Sequence, residues 1–298
     1  MYKYAGSFPV DMMAEKNWQD AFARAALNRV EISTAATPEK EVCTKLVREL
    51  TAMKNDGTFE AVSLHLPYGP FDEINPSALD ETLRKNTVKH FTGYIRRFEA
   101  LAIPLVTIHC SGEPNESDPA GRRKRIDQMR RSCEEFMPLL DELDMTLNLE
   151  LLPRSCIGNI PEELLAMSDG FPENRIGIIL DVNHGMDRGK DIPAWIKMCG
   201  TRLRALHISD YDNVDECHWQ VGEGMLDWVA IRNEIQAKTQ DLAVIIEVKH
   251  PAIPGHRTYK IDPVYSIINI ERNCMKLEYA HEMNSLLEQI RKHQFQSI

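Results

Sequence analysis

Histidines and carboxylates recur at matching places along this chain. His65 stands in SLHLPYG, His109 in VTIHCSGEP, Asp181 and His184 in ILDVNHG, and His207 in ALHISD. Glu150 follows TLNL and Glu247 follows AVII. Each closes a short apolar run or lies just beyond it, and a second group, Glu216 and His218, comes soon after His207. An unpaired carboxylate at the end of a buried run costs several kcal/mol or is forced to protonate. A shared cation relieves that cost for all of them at once.

Glu150, Asp181, His207 and Glu247 come from four successive runs and form one candidate ligand set. Three carboxylates and one imidazole make a hard, mostly oxygen site, which favours one divalent ion: Mn2+ first, with Mg2+, Co2+ or Zn2+ also accommodated. His65, His109, His184, Glu216 and His218 then form a surrounding shell, able to contact substrate hydroxyls or to hold additional zinc ions. Such an ion would chelate the carbonyl oxygen and the neighbouring hydroxyl of a polyol, stabilising the enediolate left when a C–H proton departs. Glu150 and Glu247 are the candidate catalytic pair, one removing the proton and the other returning it. If a leaving group sits on the adjacent carbon, the same chemistry ends in elimination.

What must position these residues is legible as alternating elements. Eight apolar runs read as strands: Tyr2 to Phe8, Arg29 to Ser33, Ala61 to Leu66, Leu105 to His109, Thr146 to Leu151, Ile176 to Asp181, Ala205 to Ile208, and Ala243 to Val248. Unbroken runs such as IGIIL suit strands buried on both faces, as in a parallel sheet. Helix-period segments lie between them. Thr37-Pro38 reads as an N-cap and first helical residue, followed by Val42, Leu46, Leu50 and Met53 at helical spacing. Ile126, Met129, Cys133, Phe136 and Leu140 form a second stripe. Eight such units predict an α/β fold, a (β/α)8 TIM barrel, whose chemistry sits at the C-terminal ends of its strands. An open doubly wound sheet is the competitor, but no GxGxxG follows the first strand.

With 298 residues, 43% hydrophobic and 27% charged, the chain has enough apolar content for one such barrel. A single domain over 1–298 is expected, with about 261–298 as a C-terminal helical extension that caps the barrel or packs on a partner in a homodimer or homotetramer. The start, MYKYAGSFPVDMMAEK, lacks a basic region followed by an apolar run, and no stretch nears the roughly 20 apolar residues of a membrane span. Seven scattered cysteines with no CxxC suit free thiols in a reducing cytoplasm. A net charge of -10 argues against a whole surface built for nucleic acid. The run Gly121-Arg122-Arg123-Lys124-Arg125 opposes the dipole of the helix it opens, so it reads as a solvated basic face or an anion receptor.

On these residues the sequence resembles the xylose isomerase-like barrel superfamily, in the sugar phosphate isomerase/epimerase branch that includes ketose 3-epimerases, hydroxypyruvate isomerase and inosose dehydratase. The likeness runs from VEIS to Glu247. Its most specific stretch is HISDYDNVDECHWQVGEGMLDW, with His207, the Glu216-Cys217-His218 triplet, the Gly222-Glu223-Gly224 turn and Trp228. The resemblance implies a sugar isomerase or epimerase with Glu150, Asp181, His207 and Glu247 as metal ligands, His184 and Arg154 as substrate contacts, and a small carbohydrate as substrate. Cys156 stands where ketose epimerases carry a substrate-binding glutamate, a departure from a simple free-ketose enzyme. Endonuclease IV, a three-zinc phosphodiesterase, is similar too. Its nine ligands have counterparts in His65, His109, Glu150, Asp181, His184, His207, Glu216, His218 and Glu247, with Glu216 in place of an aspartate.

Overall fold

A computed structural model of the chain describes residues 2–70, 72–112, 118–250 and 263–286. Eight strands, β1 (Tyr2–Pro9), β2 (Arg29–Ser33), β3 (Glu60–His65), β4 (Leu105–His109), β5 (Thr146–Glu150), β6 (Ile176–Asp181), β7 (Leu203–Ile208) and β8 (Leu242–Ile246), pair in chain order. All neighbours are parallel, and β8 returns to β1 to close the barrel. The eight expected strands are all present.

Around them run α1 (Val10–Met13), α2 (Lys16–Phe22), α3 (Lys40–Asn55), α4 (Glu81–Arg97), α5 (Pro119–Leu143), α6 (Pro161–Ser168), α7 (Ile192–Met198), α8 (Trp228–Gln236) and α9 (Pro263–Glu278). The two apolar stripes face the core as expected: Leu46 and Leu50 on α3 and Met129, Cys133, Phe136 and Leu140 on α5 are buried. The start of α3 is a correction. The helix begins at Lys40, with Glu39 at its N-cap (φ −54°, ψ 143°). The Thr37 hydroxyl lies 2.7 Å from Nε2 of His90 on α4, so it bonds a neighbouring helix rather than the first amides of its own.

Of the expected extension, 261–262 and 287–298 lie outside the described residues. α9 and the helical residues 280–286 account for the rest, and α9 packs against α2, α8, β1 and β8. Among the described residues no helix is long and apolar enough to cross a membrane. The seven cysteines are free thiols.

The barrel interior explains how the site is placed. Ala5, Val62, Ile179, Ala205, Ala243 and Ile245 form a small apolar cluster distinct from the main core between sheet and helices. Strand side chains alternate between faces, so a step of two residues stays inside. From Ala5, Ile179, Ala205 and Ile245 that step arrives at Ser7, Asp181, His207 and Glu247. The apolar floor is thus followed, toward the C-terminal mouth, by polar groups.

Candidate metal centre

The four expected ligands converge. Glu150, Asp181, His207 and Glu247 each offer an atom within 4.8 Å of the others. Nδ1 of His207 lies 3.0 Å from Oε1 of Glu150 and 3.1 Å from Oε2 of Glu247. Oε2 of Glu150 lies 3.1 Å from Nε2 of both His65 and His109. These histidines are aimed by their surroundings. Nδ1 of His65 lies 2.8 Å from the Leu66 carbonyl and Nδ1 of His184 lies 2.7 Å from the Leu151 carbonyl. An N–H donated there leaves each Nε2 free to meet a carboxylate or a cation. His184 belongs to the 3-10 segment Val182–Asp191 that follows β6.

Nine of the ten expected site residues line one cavity of about 140 Å³. His207 lies beneath it with no exposure at all. A wider cleft of about 710 Å³ adjoins the cavity and shares His65, Tyr68, His218 and Glu247 with it. Two further clusters have ligand geometry: His65 with Glu150 and His207, and His184 with Glu216 and His218.

The carboxylates draw positive charge into the site. Burial alone would raise the Glu150 carboxyl, but the charges of His109, His65 and His207 hold it well below the usual range. Burial pushes the Glu247 carboxyl up against the pull of His207. Burial likewise opposes charge on the imidazoles, yet Glu150 holds His65 up at about 9, and Asp181 and Glu216 hold His184 at about 10. His207 is raised well above its ordinary value against the same burial, by Glu247, Glu31 and Glu150. Without an ion, protonated histidines carry the positive charge that the carboxylates demand. Two buried atoms of the ring also lack a hydrogen bond: Nε2 of His207, which has only the ion-pair contact to Glu31, and Oδ2 of Asp181, which is 3.3 Å from Nε2 of His184 while its Oδ1 accepts the Asn183 amide at 2.8 Å. An oxygen-rich ring with an unbonded carboxylate oxygen fits a hard divalent ion.

Several residues that complete the site were not anticipated from sequence. Glu31 on β2 is wholly buried, with Oε1 3.0 Å from Nε2 of His207. It accepts hydrogen bonds from Ser7 (3.1 Å) and Ser63 (2.7 Å) and stands where the β2–β3 register shifts. The signal was a lone carboxylate within the apolar run RVEIS. Tyr68 stacks on His109 at 4.8 Å. Asp210, also fully buried, accepts the amides of Tyr211 (2.9 Å) and Gly222 (2.9 Å) and the Trp228 indole N–H (2.7 Å). It thereby folds the loop carrying Glu216 and His218 over the mouth. Gly222 takes φ +82°, and a Cβ on Gly224 would lie 2.2 Å from the Tyr211 carbonyl oxygen, so that turn does serve close approach.

Arg154 reaches the cavity but is ion-paired to Glu216. The basic run on α5 needs a correction at Arg122. Its guanidinium bonds Glu163 (2.6 and 2.7 Å), the carbonyls of Ser155 (2.7 Å) and Cys156 (2.9 Å), and Asn159 (2.8 Å). It secures the β5–α6 loop and is neither a solvated group nor an anion receptor.

A family model described as "Xylose isomerase-like TIM barrel" matches residues 20–263. The chain belongs to that family. Its sequence is similar to the D-psicose 3-epimerase of Ruminiclostridium cellulolyticum, 24% identical over 241 residues, 78% of this chain and 77% of that protein. It is similar also to an uncharacterised protein, MJ1311, of Methanocaldococcus jannaschii, 24% identical over 187 residues, 61% of this chain; the match spans 64% of that relative's length. Among known structures it is similar to a D-tagatose 3-epimerase-like protein (TM-score 0.69, 18% identity, covering 96% of this chain and 99% of that one). It likewise resembles an IolI protein with a zinc atom (TM-score 0.72, 15% identity, covering 93% and 98%). At these identities the structural likeness speaks for the fold.

Proposed function

We propose that this chain is a divalent-metal-dependent isomerase or epimerase of a sugar, keto-sugar or sugar phosphate, moving a proton on a carbon beside a carbonyl. One observation carries the reading: three carboxylates and one imidazole, from Glu150, Asp181, His207 and Glu247, gathered within 4.8 Å at the barrel mouth. The likeness to a D-psicose 3-epimerase supports it.

A divalent cation in that ring, Mn2+ best matching its oxygen donors, would supply Lewis-acid stabilisation of negative charge on the substrate oxygens. The chain's own groups do the rest. Glu150, at the end of β5, and Glu247, just after β8, sit in different fields, Glu150 held ionised and Glu247 pushed up. Carboxyls separated in this way suit an exchange of roles between base and acid. A proton removed by one and returned by the other on the opposite face inverts the carbon; return to the neighbouring carbon isomerises. His65, His109, His184, His218 and Arg154 provide the donors and acceptors that hold hydroxyls. A leaving group on the next carbon would divert the same proton removal into a lyase or dehydratase reaction.

The cluster of His184, Glu216 and His218 favours a second reading, a multi-zinc phosphodiesterase like endonuclease IV. Elemental analysis of chain purified without added metal or chelator, followed by incubation with ketoses in D2O, separates the two. One exchangeable ion with deuterium uptake beside the carbonyl supports the isomerase. Two or three tightly held zinc ions, no uptake, and cleavage of an abasic duplex would support the phosphodiesterase. Glu150→Gln or Glu247→Gln with full turnover would sink the proposed acid–base pair.

A further inference from the structure

α9 is apolar on two sides. One side, with Ile267, Ile270 and Leu277, is buried against the barrel. The helix continues beyond Glu278 through the bonds Tyr279 N–H to Met275 (3.0 Å) and Met283 N–H to Tyr279 (3.0 Å), into residues 280–286. Along this length a second set stands in solvent: Val264 (55% exposed), Ile268 (39%), Met275 (62%), Tyr279 (53%), Met283 (41%) and Leu286 (58%). At 3.6 residues per turn these six fall within an arc of about 100°. Seven of the twelve large exposed hydrophobic side chains among the described residues lie on this one segment. A contiguous apolar stripe of this kind marks an interaction surface rather than ordinary scatter.

The order of residues along the stripe identifies its partner. An antiparallel contact between two copies, with the two-fold axis level with Leu277, sets each residue against one equally far on the other side. Ile268 then faces Leu286 of the second copy, and Met275 faces Tyr279. One exposed charged pair obeys the same symmetry: Arg272 comes level with Glu282 of the second copy, and the pair occurs twice, while Met283 at the margin comes level with Glu271. Neither Arg272 nor Glu282 makes an ion pair among the described residues. A surface whose apolar and charged residues complement themselves under one two-fold rotation is the requirement for an isologous dimer. The matched span, Ile268 to Leu286, is about 27 Å long at 1.5 Å per residue.

We propose that α9 and its continuation to Leu286 form a homodimer interface, two copies packing antiparallel along this stripe. Salt-sensitive Arg272–Glu282 pairs fix the register while the apolar pairs carry the affinity. The surface is independent of the metal centre and of the reaction assigned to it.

Sedimentation velocity across a micromolar range tests this with the full-length chain. The unaltered chain should sediment as a dimer, and Met275→Lys as a folded monomer. Arg272→Glu and Glu282→Arg should each weaken the dimer about tenfold, since each sets like charges together twice. The double variant Arg272→Glu/Glu282→Arg should restore it, and mixing the two single variants should yield a heterodimer. A monomeric unaltered chain at the highest concentration overturns the proposal. So does a dimer that tolerates Met275→Lys, or one in which the double charge reversal is no better than either single change. Circular dichroism of each variant separates loss of association from loss of fold.

Discussion

Oε1 of Glu31 lies 3.0 Å from Nε2 of His207, and neither side chain has any exposure. The contact favours a proton on Nε2 and so leaves the Nδ1 lone pair facing Glu150 and Glu247, where an ion would bind. Partners of this kind beneath a metal-ligating histidine usually govern about 10–100-fold in metal affinity. Glu31→Gln keeps the shape and one acceptor oxygen, turns the other into an amide NH2 that must donate to its serine hydroxyl, and removes the charge. Mn2+ affinity, measured by titration calorimetry, should fall by that order, while the circular dichroism spectrum stays unchanged. An unaltered affinity would mean that Glu31 is only a structural acceptor.

If the ring holds a resident ion, the ion must also stabilise the fold. Chelator-treated chain should gain about 2.7 kcal/mol when Mn2+ is restored to a hundred times its Kd, read as a rise in Tm by calorimetry. Asp181→Asn should abolish most of that gain, since it removes the carboxylate whose Oδ2 has no hydrogen bond. Equal gains in both proteins would place the ion elsewhere.

Much of this was legible because burial leaves a direct trace in sequence. Strands covered on both faces must be apolar throughout, and an ionisable residue closing such a run stands out. That logic found His65, His109, Glu150, Asp181, His207 and Glu247. It passed over Glu31 because a residue one layer deeper lies within its strand, not at its end, and only the closed barrel shows that it points at His207. Asp210 escaped for a different reason. Its partners are backbone amides of a loop whose path no residue pattern encodes and the Trp228 indole at the start of α8. Thr37 and Arg122 misled because a cap or a basic run is read locally, while His90 and Glu163, the partners that claim them, are distant in sequence.

The loop above the ring has its own weak point. A Cβ on Gly224 would lie 2.2 Å from the Tyr211 carbonyl oxygen and 2.4 Å from Oδ1 of Asp210. Backbone oxygen cannot swing aside as the end of a long side chain can. Gly224→Ala should cost about 1–3 kcal/mol, as overpacking does, and should displace Glu216 and His218. Urea unfolding gives the first quantity. Turnover lost well beyond that loss of stability gives the second, and normal values for both would show that the loop is free to shift.

His250 gives the fold a defined acid sensitivity. Its ring stacks on Phe8 at 5.2 Å and meets the edge of Trp18 at 6.2 Å, and its Nε2 lies 3.2 Å from the Ser7 carbonyl oxygen. Burial lowers its pKa to about 4, from an ordinary 6.5, against the modest support of that carbonyl. The folded value lies below the unfolded one, so the unfolded chain takes up the proton first. Above pH 6.5 the ring is neutral in both states and has no effect on the pH dependence of stability. As pH falls from about 6.5 to about 4, the folded state loses on the order of 3 kcal/mol relative to the unfolded chain. His250→Phe keeps an aromatic ring beside Phe8 and cannot titrate. Its urea midpoint should fall less steeply over that window than that of the unaltered chain, every other titrating group being common to both. Parallel curves would show that the imidazole is protonated as readily folded as unfolded, and that its packing against Phe8 and Trp18 does not exclude water.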